Sequence, residues 1–168
     1  MAGDTLGTRL ARVVDVLRGA DVDAGPYRPG DHDPLARFNG APGREVERYW
    51  LNAPYAFAVV TYDDAANEHR YHVAEPPLDG FRGELLERVV DDIRDPLLYR
   101  ADDPTDEAVL REELTRLLEQ YGLDVDPETY HTLAYYLLRD FRGYGKVDPL
   151  MHDPNVEDIS CDGYDLPI

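Results

Sequence analysis

The chain has 168 residues, 43% of them hydrophobic, which is enough to bury a real core and excludes a disordered tail. Asp and Glu total 35 against 17 Lys plus Arg, and the formal net charge of −18 makes a phosphate backbone, and so nucleic acid, a poor partner. No apolar run approaches the roughly 18 residues of a membrane span, the N-terminus lacks a signal peptide's basic start and apolar core, and a single cysteine fits a reducing cytoplasm.

Residues 5–18 carry Leu6, Leu10, Val13, Val14 and Leu17 on one stripe, with Gly19 as a stop, which predicts an amphipathic helix within 1–19. Its cations Arg9, Arg12 and Arg18 are too few for a strong lipid anchor, so packing or a protein partner is expected. Residues 20–43 hold Pro26, Pro29, Pro34 and Pro42 among glycines and aspartates, the composition of a linker or long surface loop. Residues 55–62, YAFAVVTY, are β-rich, and after the polar DDAANE the run HRYHVAE supplies a second strand. A hairpin is expected there, with Trp50 of the preceding REVERYWLNAPY as its core anchor.

Helical spacing returns over 79–95 through Phe81, Leu85, Val89 and Ile93, and Pro96 is expected to end or kink that helix. Asp103-Pro104 and Asp126-Pro127 each place an N-cap aspartate before a proline at the first helical position. The first of these helices carries Leu110, Leu114, Leu117 and Tyr121 before Gly122; the second carries Tyr130, Leu133, Ala134, Leu137 and Phe141 before Gly143. A short turn between them predicts an antiparallel pair, so 44–147 reads as one N-terminal domain of hairpin plus helices. Asp148-Pro149 and Asp153-Pro154 then open short turns, VEDISC reads as a strand and Asp162-Gly163 as a hairpin turn. The returning strand would start near LPI, so 148–168 reads as the start of a further α/β subdomain, cut in mid-hairpin. The expected fold class is α+β: a mostly helical region with a β-hairpin, an antiparallel helix pair and the truncated start of an α/β domain.

The candidate chemistry concentrates in GYGKVDPLMHDPNVEDISCDG, residues 143–163, which hold the only lysine and the only cysteine. GYGK resembles a phosphate loop, but position 140 is Asp where the pattern needs Gly, Val147 follows the lysine where Ser or Thr is needed, and a helix precedes it. His152, Asp153, Asp158, Cys161 and Asp162 lie close in sequence without any CxxC, HExxH or calcium-loop spacing. His69 and His72 are three apart, which on a strand points them to opposite faces. Cys161 has no evident His partner and reads as a small buried residue, and Ser160 has no GxSxG setting. Close carboxylates such as Asp91-Asp92 and Glu112-Glu113 are what so acidic a sequence contains anyway. No catalytic, cofactor-binding or metal-binding residue is therefore assigned. Heavy acidity with lysine almost absent is the composition of proteins from salt-accumulating cells.

The run LLRDFRGYGKVDPLMHDPNVEDISCDG, together with YWLNAPYAFAVVTY, LDGFRGELLERVVDDIRDPLLY and YGLDVDPETYHTLAYYLLRDF in that order, closely resembles the archaeal type II/IV secretion ATPases, the motors of secretion, pili and the archaellum. The resemblance covers about residues 44–168. It implies a hexameric cytoplasmic ATPase, peripheral to the cytoplasmic membrane, that drives a polytopic membrane platform protein. It places ATP and magnesium in a C-terminal domain whose motifs this chain lacks, so no cofactor is expected here and the chain alone should be inactive. Neighbouring subunits or the catalytic domain would be the partners. One departure is His152, where that pattern carries arginine, which bears on a local surface contact. The reading is a non-catalytic assembly and docking region; the alternative is a free-standing adaptor or gene remnant that binds a platform protein or motor subunit without catalysis.

Overall fold

A computed structural model describes residues 43–99 and 103–159. The helix expected at 5–18, the linker up to residue 42, and Ser160, Cys161 and the Asp162-Gly163 turn lie outside the described residues.

The fold is α+β. β1 (Arg44–Asn52), β2 (Ala56–Asp63) and β3 (Glu68–Ala74) form an antiparallel sheet in the order β1-β2-β3. The expected hairpin is β2 and β3, paired from Phe57↔Ala74 to Asp63↔Glu68. The Asp63 carboxylate accepts the backbone N–H groups of Ala65 and Ala66 at 3.0 and 3.2 Å, and Asn67 takes the left-handed φ of 54° that the return requires. The sheet is larger than that hairpin. REVERYWLN forms the third strand, β1, paired from Arg44↔Tyr62 to Asn52↔Ala56. Its charges at Arg44, Glu45, Glu47 and Arg48 mask it from a hydrophobic count, and an edge strand tolerates them because its outer side faces water.

Alternation along β2 sends Ala56 and Ala58 to one face and Phe57, Val59 and Thr61 to the other. The helices pack on the alanine side, together with Leu51. Trp50 does not anchor that core. It is half-buried on the opposite face and meets the Phe57 ring edge-on at a centroid distance of 5.8 Å.

α1 (Gly80–Leu98) is capped by Asp79, whose carboxylate accepts the Arg82 N–H at 2.8 Å, and it buries Leu85, Leu86, Val89, Ile93 and Leu97. Phe81 shares the predicted stripe but lies in the first turn, beyond the core, and is exposed. The helix also continues past Pro96 to Leu98, since a proline in the last turn removes a single hydrogen bond. α2 (Glu107–Tyr121) begins after Asp106, not Asp103: the Asp106 carboxylate accepts the Ala108 N–H at 2.7 Å. Asp103 is consumed one turn earlier, accepting from the Thr105 amide and hydroxyl at 2.9 and 2.7 Å. α3 (Pro127–Phe141) starts as the sequence implies, with the Asp126 carboxylate bonded to the Thr129 N–H at 2.9 Å and hydroxyl at 2.8 Å. Gly122 closes α2 at φ 66°. Leu110, Leu114 and Leu117 meet Leu133, Ala134 and Leu137 in one core with α1.

After α3 come a 3-10 turn (Gly145–Val147) and the short α4 (Asp148–Met151). Residues 156–159, the first part of the VEDISC strand, carry no regular structure, and among the described residues no strand pairs with them.

Candidate functional site

The most organised polar site is the junction after α3, where two Asp-Pro pairs turn the chain back onto the sheet. The buried Asp148 carboxylate accepts the Tyr144 N–H at 3.0 Å, and the His152 ring nitrogen Nδ1 lies 2.8 Å from the Asp148 carbonyl. Asp153, 4% exposed, accepts the Tyr49 hydroxyl of β1 at 2.7 Å and the Tyr71 hydroxyl of β3 at 2.5 Å. Its other oxygen takes the Asn155 N–H at 2.8 Å, the geometry of an Asx turn. Burial pushes the Asp153 carboxyl up, but the Tyr71 and Tyr49 hydroxyls and the Asn155 amide outweigh it and hold the pKa below the ordinary carboxylate value. Both phenols are raised, first by desolvation and then by the carboxylate they serve. The pins are fixed in their protonation states: a charged carboxylate between two neutral phenols.

Beside the junction opens a cleft of about 430 Å³ lined by Tyr55, Arg111, Tyr135, Arg139, Arg142 and His152, among others. Arg139 is its best-held cation. Its guanidinium lies 2.9 Å from Glu75 and 2.7 Å from Asp140, and it stacks 4.6 Å from the Tyr136 ring centroid. Burial lowers the Arg139 pKa, but the bonds to Asp140 and Glu75 outweigh it and raise the group above its usual value. Glu75 also accepts the Tyr135 hydroxyl at 2.8 Å, and burial with that carboxylate keeps Tyr135 protonated. Arg111 and Arg142 share Glu107, at 2.9 and 3.5 Å. A cleft lined by three guanidiniums, with several tyrosine hydroxyls among them, is suited to polar docking.

The residues that sequence reasoning weighed for chemistry are dispersed. Lys146 is exposed in the 3-10 turn, and the Tyr144 amide that a phosphate would need is already given to Asp148. His152 turns to Asp148 and Asp153 turns to the tyrosines, so this pair does not share a ligand position, and Asp158 is exposed. Among the described residues no group of three His, Cys, Asp or Glu side chains converges for a metal ion. The His69 ring lies tilted against Tyr62 at a centroid distance of 5.0 Å while His72 bonds Thr61 at 3.1 Å, the opposite faces that their spacing implies. Thr61 is itself buried on the central strand, which closes that hydroxyl–imidazole pair to a substrate. Among the described residues no helix is long and apolar enough to cross a membrane.

The arginine cleft and the Tyr49–Asp153–Tyr71 node were not anticipated. The i, i+3 spacing of Arg139 and Arg142 is the one local signal for the former; the latter joins residues 104 and 82 positions apart.

Residues 4–77 match the family described as PilB3-like, N-terminal. The match takes in all three strands and ends before α1. It supports an N-terminal region of a pilus or secretion ATPase. An uncharacterized protein of Methanocaldococcus jannaschii is 34% identical over 113 residues, which is 66% of this chain and 45% of that protein. The chain thus spans about half the length of the curated relative it matches.

Proposed function

We propose that this chain is the non-catalytic N-terminal assembly and docking region of a hexameric secretion, pilus or archaellum ATPase, working at the inner face of the cytoplasmic membrane. The observation that carries this reading is the match of residues 4–77 to PilB3-like N-terminal domains. The geometry agrees with a passive, load-transmitting part. Asp153 pins the segment leaving α4 to both edge strands of the sheet. ATP and magnesium belong to the catalytic domain in this reading, and the arginine cleft offers a polar seat for that domain or for a neighbouring subunit. A polytopic platform protein is the membrane partner.

The test is size-exclusion chromatography in molar salt of the chain with a separately purified P-loop catalytic domain of an archaeal pilus ATPase. Co-elution that Arg139→Glu weakens supports the reading. Hydrolysis of ATP by the chain alone overturns it. Failure to bind the catalytic domain, with capture by platform-protein vesicles instead, overturns the motor-domain reading in favour of a free-standing adaptor.

A further inference from the structure

The sheet has two apolar faces, and the described helices cover one of them. Leu51, Ala56 and Ala58, with Tyr49 and Val73 beside them, belong to the helical core. On the other face Phe57, Val59 and Thr61 are only 2%, 1% and 2% exposed, yet none of the three is part of that core. Among the described residues the contacts on this face come from the sheet itself. Trp50 meets Phe57 edge-on, the Arg48 guanidinium lies 5.6 Å from the same ring centroid, and Thr61 bonds His72. Neighbouring strands about 4.8 Å apart shield a central side chain laterally and leave it open from above. Burial to a few per cent on a three-stranded sheet calls for a second layer.

Three observations name that layer. The 43 residues before β1 are long enough for a helix and a return. A helix over 5–18 would be about 21 Å long at about 1.5 Å per residue, close to the roughly 26 Å of β2. That stretch carries an apolar stripe of its own in Leu6, Leu10, Val13, Val14 and Leu17, which needs a surface to bury against. The family match joins this stretch and the three strands in one unit, residues 4–77, and leaves the helical layer out. We propose that residues 5–18 pack as an amphipathic helix across the Phe57–Val59–Thr61 face of the sheet, so that the sheet is enclosed between its own N-terminal stretch and α1–α3.

Trp50, the only tryptophan, stands on that face and serves as the reporter. In a full-length Cys161→Ser background, a bimane is attached at Val13→Cys on the stripe or at Asp15→Cys on the opposite side of the predicted helix. Contact with an indole quenches bimane. The proposal expects at least a halving of emission at position 13 relative to the same protein carrying Trp50→Phe, no Trp50-dependent change at position 15, and no dependence on protein concentration. A second variant guards against a label that disturbs packing. Leu10→Asp should shift Trp50 emission to the red and increase acrylamide quenching while the far-ultraviolet signal of α1–α3 is kept. Equal emission at both label positions, with Trp50 emission unmoved by Leu10→Asp, overturns the proposal. Quenching that grows with concentration also overturns it, because the covering helix would then come from a second copy.

Discussion

Replacing Asp153 by Ala removes the pin that holds the junction to the sheet. Three hydrogen bonds are lost: from Tyr49 at 2.7 Å, Tyr71 at 2.5 Å and the Asn155 amide at 2.8 Å. Bonds to a charged acceptor contribute about 1.5–3 kcal/mol each when fully buried. Tyr71 is an exposed residue and Tyr49 is half-buried, so both phenols regain water once the carboxylate is gone, and the net cost is about 2–4 kcal/mol. At roughly 2–4 °C per kcal/mol for a chain of this size, the melting temperature should fall by about 4–16 °C. Thermal unfolding followed by circular dichroism measures it, and cycles with Tyr49→Phe and Tyr71→Phe should each show coupling of about 1 kcal/mol. The pH dependence has a definite sign. The folded-state pKa of Asp153 lies below its ordinary value of 3.8, so its contribution is complete above the unfolded pKa and is lost as pH falls through the lower folded value. The gap between wild type and Asp153→Ala should therefore be constant above about pH 5 and close in more acid solution. A cost below about 0.5 kcal/mol, with strictly additive tyrosine variants, would refute the reasoning, because that is what an ordinary surface substitution does.

Three further outcomes are expected. Asp126→Ala should cost about 0.5–2 kcal/mol in urea titrations through loss of the α3 cap, whereas Asp103→Ala should leave the helical signal of α2 unchanged because Asp106 is its cap. Glu75→Gln should destabilise by about 1–3 kcal/mol, since it weakens the partner shared by Arg139 and the Tyr135 hydroxyl, and equal unfolding curves would remove that pair from the account. The melting temperature should rise with added potassium chloride, because a net charge of −18 repels itself and salt screens it; a flat or falling curve contradicts this.

Local signals were legible wherever one residue decides a local geometry. Asp126-Pro127 and Gly122 mark α3 and the end of α2 because a cap and a left-handed residue act within a few positions of themselves. The same reasoning slips at Asp103, because two aspartates compete for one helix start and the two residues between them, Pro104 and Thr105, form a turn with Asp103. β1 escaped notice since its polar residues are those of an edge strand, and Trp50, expected as a core anchor, packs on Phe57 away from the helical core since a hairpin alone does not say which side the helices take. The α+β class survives such errors because it depends on element types and not on their partners. The site was far less legible. Asp153 reads as a turn former, which it is, but its two tyrosine partners lie on strands reached only through the tertiary fold.

The central proposal is that this chain is a docking region for a motor whose ATP turnover belongs to a separate catalytic domain. Light scattering of a P-loop catalytic domain of an archaeal pilus ATPase, with and without this chain and with ATP turnover recorded in the same samples, tests it most directly. The account predicts no turnover from the chain alone and a shift of the catalytic domain toward a larger assembly when the two are mixed. Turnover by the chain alone, or a catalytic domain whose mass is unchanged by its presence, would contradict it.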